Sequence, residues 1–268
     1  MKYVAFLDIL GFKEKLRNLS QDEAKKYIGD FSEIVYSIFK YSERDSVKGY
    51  IVSDSIILHT VDTTKKSLGL LIYLIEKICR EEFSKQGILI RGAIAKGEFN
   101  DIPAKELKNL GKRLIVGQAY VEAYSLEGSV KNIGINLAAA VYQDLLKYDL
   151  SLNIFEEKIG SKTHYIFRYI TLDYLLEKEN LNKFVDLGKD AKWLPHYYNA
   201  IYFATLKSEK NHQKVDQIFV DIQNILLDND RRKNWREIDL FIKNIFSEGV
   251  IEAYKTRFLR FIRSKMSL

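Results

Sequence analysis

The sequence predicts an α+β fold, with a β-α-β-β-α-β core inside residues 1–176 and a small helical appendage at 177–268. Three observations lead there. Apolar runs rich in β-branched and aromatic residues at 3–8, 47–52, 55–61 and 87–95 have the length and composition of strands. Between them, 21–40 and 66–83 space their apolar residues for helices with one buried face. Past Glu177 the strand signals fade and helical stripes take over.

In chain order, the first strand is apolar up to Asp8 at its end. Helix 21–40 lines up Tyr27, Phe31, Ile34, Val35, Ile38 and Phe39, and Ser20 with Glu23 has the spacing of a capping box. Only Ser53-Asp54 separates 47–52 from 55–61, so the two strands form a hairpin with Asp54 at its turn. This order is the ferredoxin-like arrangement, with the two middle strands as a hairpin and the helices over one face of an antiparallel sheet. A charged loop at 99–113, a strand at 114–116, a helix at 118–127 and a strand near 132–137 follow. Residues 163–172 read as a late strand of the same sheet. In the appendage, Val215, Ile218, Phe219, Ile222, Ile225 and Leu226 form one amphipathic stripe, and Trp235, Ile238, Phe241, Ile242, Ile245 and Phe246 another.

Composition sets further bounds. With 268 residues, 47% of them hydrophobic and only two prolines, the chain has material for a sizeable core. Its single cysteine, Cys79, excludes an intramolecular disulfide and suits a reducing compartment. The apolar run at 68–75 is too short for a membrane span, and Met1-Lys2-Tyr3-Val4 lacks the design of a secretory leader, so a cytoplasmic location is expected. A net charge of +6 favours anionic ligands without demanding nucleic acid. The four histidines show no metal-ligand spacing, and the glycines around Lys112 and at 92–97 do not make a phosphate-binding P-loop. From Val250 onward Lys255, Arg257, Arg260, Arg263 and Lys265 face one acidic residue, Glu252, the pattern of a solvated terminal helix.

The chemistry concentrates in two segments, Phe6-Leu7-Asp8-Ile9-Leu10-Gly11-Phe12 and Ile51-Val52-Ser53-Asp54-Ser55-Ile56-Ile57-Leu58. Each sets one carboxylate among apolar neighbours, where an uncompensated charge costs several kcal/mol. Two such aspartates on neighbouring strands make sense if they share cations. Downstream come Ile90-Arg91-Gly92-Ala93-Ile94-Ala95-Lys96-Gly97-Glu98 and Gly117-Gln118-Ala119-Tyr120-Val121-Glu122-Ala123-Tyr124-Ser125-Leu126-Glu127.

In order and spacing, these four segments resemble the motifs of the class III nucleotidyl cyclases, the adenylate/guanylate cyclase superfamily, over residues 3–145. The resemblance implies a cyclase palm in which Asp8, Asp54 and the backbone carbonyl of Ile9 hold two Mg2+ or Mn2+ ions. It also implies a nucleoside triphosphate as substrate, with Gly11, Phe12, Tyr50, Ser53 and Arg91 around it, and a two-fold homodimer whose 117–127 helix completes the partner's site. The product would be a 3′,5′-cyclic nucleotide, and pyrophosphate would leave.

The departures from the family pattern are specific. Val121 stands at the transition-state asparagine and Ser125 at the phosphate-contacting arginine; Tyr50 and Leu114 replace the purine-selecting pair. Substitute cations are Arg91, Lys96, Lys112 and Arg113, of which Arg113, just before a strand, is assigned a catalytic role. With no purine-selecting residues and no membrane or receptor module, the chain resembles the small stand-alone bacterial pyrimidine cyclases of antiphage (Pycsar-type) signalling. In such systems a separate effector answers the cyclic nucleotide, and UTP or CTP is the expected substrate. The alternative is a catalytically degenerate relative that binds a nucleotide or a protein partner as sensor or scaffold. A palm that joins nucleotides into oligonucleotides is disfavoured, since Ser53-Asp54 lacks a doubled acidic turn.

Overall fold

The computed structural model describes residues 1–40, 46–102, 114–129, 133–150, 153–159 and 162–177, and single positions at 179, 180, 183, 184, 187, 200 and 204. The expected appendage at 177–268, with its two amphipathic stripes and basic terminal helix, lies almost entirely outside them.

The core elements are β1 (Lys2–Ile9), α1 (Phe12–Arg17), α2 (Gln21–Lys40), β2 (Val47–Val52), β3 (Ser55–Thr60), α3 (Lys65–Gln86) and β4 (Ile90–Gly97). Then come β5 (Asn100–Ile102), β6 (Leu114–Val116), α4 (Gln118–Glu127), β7 (Ile135–Leu137), α5 (Ala139–Lys147), β8 (Ile154–Ile159), β9 (Lys162–Phe167) and α6 (Leu172–Leu176). The large sheet has the order β2-β3-β1-β4-β7-β9-β8, and β5 pairs with β6 alone. Its first four strands keep the ferredoxin-like order, with β1 antiparallel to both β3 and β4. The β4–β7 pair is parallel, so the sheet as a whole is mixed.

The apolar sequence runs bury as expected. Tyr3, Val4, Ala5 and Leu7 of β1 and Ile56, Ile57 and Leu58 of β3 are buried, as are Leu68, Leu71, Leu74, Ile75 and Ile78 along one face of α3. Register assigns the two sheet faces. Gly49, Leu58, Ala5 and Ile94 share one, which meets α2 through Phe39. Tyr50, Ile57, Phe6 and Ala93 share the other, where Phe6 meets the rings of Tyr120 and Tyr124 in α4 edge-on at 6.2 and 5.1 Å.

Local signals hold at several ends. Ser20 and Glu23 form the capping box, the Ser20 amide and hydroxyl donating to the Glu23 carboxylate at 2.8 and 2.7 Å. Thr64 caps α3, and left-handed Gly87 (φ 67°) ends it, so residues 87–89 precede β4 instead of starting it. The predicted late strand at 163–172 is the shorter β9, hairpin partner of β8.

Two compact units divide the chain: 1–130, 134–154 and 165–169 form one; 131–133, 155–164 and 170–268 form the other. In the second, Thr171 caps α6, Asn180 Nδ2 donates to the Tyr174 carbonyl at 2.9 Å, and Tyr174, Leu175, Phe184, Ala200 and Ala204 are buried. Among the described residues no helix is long and apolar enough to cross a membrane.

Candidate active site

Strand pairing sets Asp8 opposite Ser55 on β3 and opposite Arg91 on β4. All three share the sheet face that carries Phe6, Tyr50 and α4. Ser55 Oγ donates to Asp8 Oδ1 at 3.3 Å, and an Arg91 terminal nitrogen, Nη2, lies 3.6 Å from Asp8 Oδ2. Asp54 occupies the two-residue turn between β2 and β3, where Ser53 takes the left-handed region (φ 57°) that glycine favours. The Ile9 amide donates to the Asp54 carbonyl at 3.2 Å, which ties the turn to the end of β1. Because a strand residue's N–H and C=O point to the same side, the Ile9 carbonyl also faces this turn.

Charge crowding marks the site. Burial, reinforced by the negative charges of Asp54 and Glu127, pushes the Asp8 carboxyl up to about 6, against the pull of Arg91 and the Ser55 hydrogen bond. Burial also raises Glu127, which Arg91 opposes. Arg91 Nε lies 2.5 Å from Glu127 Oε1, an ion pair in which the N–H is not aligned as a hydrogen bond. Asn136 fixes the end of α4 beneath this pair, its Nδ2 donating to the carbonyls of Leu126 at 3.0 Å and Glu127 at 3.3 Å.

The other expected residues divide. Gly11 is the left-handed N-cap of α1 (φ 78°), and Phe12 stacks on Tyr27 at 6.4 Å. Burial and the charges of Glu82 and Asp54 push the Tyr27 hydroxyl up to about 12, which puts Tyr27 within electrostatic reach of the turn. Tyr50 shares the face of Asp8, and its ring stacks on His59 at 5.9 Å. Of the substitute cations, Arg91 is at Asp8, whereas Lys96 pairs with Asp144 at 2.5 Å and not with either aspartate. Lys112 and Arg113, and the side chain of Leu114, lie outside the described residues. Val121 and Ser125 are exposed on α4.

The donor set suits a hard divalent cation. Carboxylates and a backbone carbonyl are the oxygen ligands that Mg2+ and Mn2+ prefer, and the crowding that raises Asp8 is what a bound cation would relieve. Among the described residues no group of three or more His, Cys, Asp or Glu side chains is placed to hold a metal.

Three residues around the site are not evident from the sequence motifs as ligands or supports: Ser55, Glu127 and Tyr169. The buried Tyr169 hydroxyl accepts from the Ile90 amide at 3.0 Å and donates to the Ile90 carbonyl at 2.6 Å, filling the strand partner's place next to Arg91. Glu82 is fully buried in α3; neither carboxylate oxygen has a hydrogen-bond partner among the described residues, and burial pushes it up to about 8. A carboxylate inside an apolar helix face is the one sequence signal that flags it.

No family model and no curated relative matches the chain. Solved structures do. The chain is similar to a dimeric guanylyl cyclase domain of the RhoGC fusion protein from the aquatic fungus Blastocladiella emersonii, at 15% identity and a TM-score of 0.49, covering 62% of this chain and 92% of that one. It is similar to the adenylyl cyclase CyaB from P. aeruginosa at 17% identity, TM-score 0.47, with 62% and 92% covered. It is also similar to the guanylate cyclase domain of RhGC from Catenaria anguillulae, solved in complex with GTP, at 14% identity, TM-score 0.47, with 62% and 94% covered.

Proposed function

We propose that the protein is a metal-dependent nucleotidyl cyclase that converts a nucleoside triphosphate, UTP or CTP by preference, to a 3′,5′-cyclic nucleotide and pyrophosphate. The observation that carries this reading is the pair of aspartates: strand pairing and the Ile9–Asp54 hydrogen bond converge them at one end of the sheet, and the charge of Asp54 is felt at Asp8.

Asp8, Asp54 and the Ile9 carbonyl would hold Mg2+ or Mn2+. When bound, the ions supply acidification of the ribose 3′-hydroxyl and neutralisation of charge on the leaving pyrophosphate. The chain's own part is to present both carboxylates, to keep Arg91 beside Asp8 as a cation for phosphate oxygens, and to offer the Tyr50 ring and hydroxyl to the base. In the reaction O3′ bonds to the α-phosphorus as the bond from that phosphorus to the pyrophosphate oxygen breaks, and the hydroxyl proton passes to water. The resemblance to stand-alone pyrimidine cyclases adds a role in antiphage second-messenger signalling, with a separate effector reading the product. The test is product analysis by mass with each ribonucleoside triphosphate and Mn2+, in the wild type and in Asp8→Ala and Asp54→Ala.

One observation favours a second reading, a non-catalytic nucleotide binder. Val121 and Ser125, where the family resemblance puts an asparagine and an arginine, are exposed and supply no cation or amide. Nucleotide binding without turnover in the same assay would select it.

A further inference from the structure

We infer that Glu127 is a positioning residue that holds the Arg91 guanidinium back from Asp8 and so keeps that carboxylate open to a divalent cation. The inference rests on the metal reading of Asp8 and Asp54. Arg91 and Asp8 are direct cross-strand partners, so the guanidinium needs no backbone movement to close on the carboxylate. It stands off instead: 3.6 Å from Asp8 but 2.5 Å from Glu127.

The tether is rigid. Glu127 is the last residue of α4 and only 9% exposed, Asn136 holds the carbonyls of that helix end, and Gly97 lets Ala119 pack directly against β4. The carbonyl end of a helix attracts a cation in its own right, which adds to the hold on Arg91. Without the Glu127 charge, the nearest anion for the guanidinium among the described residues is Asp8. A fork of two N–H groups on a carboxylate is a strong pairing that occupies the oxygens a metal needs.

Manganese binding to the full chain, followed by the electron paramagnetic resonance of free Mn2+, tests this without turnover. Four proteins are compared, the wild type, Glu127→Gln, Arg91→Gln and the double variant, with Asp8→Asn to identify the site. We expect Glu127→Gln to weaken Asp8-dependent binding by about tenfold, the low end for losing a residue that orients a metal ligand. In the Arg91→Gln background the same change should have less than about a twofold effect, because there is no guanidinium left to restrain. Equal weakening in both backgrounds would show that Glu127 acts only as a nearby negative charge, and no weakening in either would show that it does nothing here; each overturns the inference. Absence of any Asp8-dependent Mn2+ site in the wild type overturns the metal reading and this inference with it. Glu127→Asp, which keeps the charge on a shorter arm, covers poor folding of Glu127→Gln: it should weaken binding only while Arg91 is present.

Discussion

At Asp8 the chain keeps a carboxyl that is uncomfortable when ionised. Its folded-state value near 6 exceeds the ordinary 3.8, so the folded protein binds the extra proton, and stability is lost as pH rises from about 4 through 6. Replacing it by the neutral isostere should therefore stabilise the metal-free protein. We expect Asp8→Asn to melt higher than wild type at pH 8, by on the order of 1–2 kcal/mol, with the gap closing by pH 4, while turnover is abolished. Thermal melts with chelator across that range check it; a variant less stable at pH 8 would mean the carboxylate is a structural partner of Arg91 first. Tyr50 gives a second prediction. Its ring and hydroxyl can serve one base edge, and a mismatched base leaves polar groups unpaired at about 1–3 kcal/mol per group. UTP or CTP should outpace ATP and GTP, and Tyr50→Ala should flatten that preference. If the preference survives in Tyr50→Ala, the tyrosine is only packed on His59. Both aspartates were legible in sequence because a charge inside an apolar run stands out. The hold of Glu127 on Arg91 was not, because it exists only once α4 crosses the sheet.

Elements, rather than single side chains, carry the register on which the site depends. Gly92 follows Arg91, and a Cβ there would collide with the Phe6 carbonyl oxygen and lie 3.1 Å from the Leu7 Cα, backbone atoms that cannot step aside. Gly92→Ala should cost about 1–3 kcal/mol and loosen the Asp8–Arg91 pairing, read as a lower denaturant midpoint with unchanged slope. In α3, Glu82 is protonated at neutral pH because burial lifts it to about 8 from an ordinary 4.5. Stability from this group is complete below 4.5 and is lost as pH rises through 8. Glu82→Gln should therefore gain on wild type steadily from pH 5 to pH 9; parallel melting curves over that range would show that Glu82 has a partner when ionised. The strand and helix pattern of the core was readable because each element buries one face and shows its period. The helix α5 was not, since Ala138 offers no capping side chain and Ala139-Ala140-Val141 continues an apolar strand without a break.

For the whole molecule, large apolar side chains stand exposed on α4 and beside the Asp54 turn. Tyr124 and Val121 on α4 are 58% and 60% exposed, and Val52 beside the Asp54 turn is 56% exposed. Surface of this kind next to a site suits a second copy, as the family resemblance also implies. We expect a two-fold homodimer by light scattering at tens of micromolar, and Tyr124→Lys to dissociate it and lower turnover together. Full activity from a monomer would remove the partner from the mechanism. Sequence carried the ordered motifs of the first half of the chain and the absence of long apolar spans; after 177 it offers amphipathic stripes but no motif that carries chemistry.

Whether this pair of aspartates makes a cyclase is decided by the products the protein forms. Purified protein incubated with Mn2+ and each of the four ribonucleoside triphosphates, with products resolved by mass, should yield a 3′,5′-cyclic nucleotide and pyrophosphate from UTP or CTP, and none in Asp8→Ala or Asp54→Ala. No cyclic product from any triphosphate, or the same product from the aspartate variants, would contradict it.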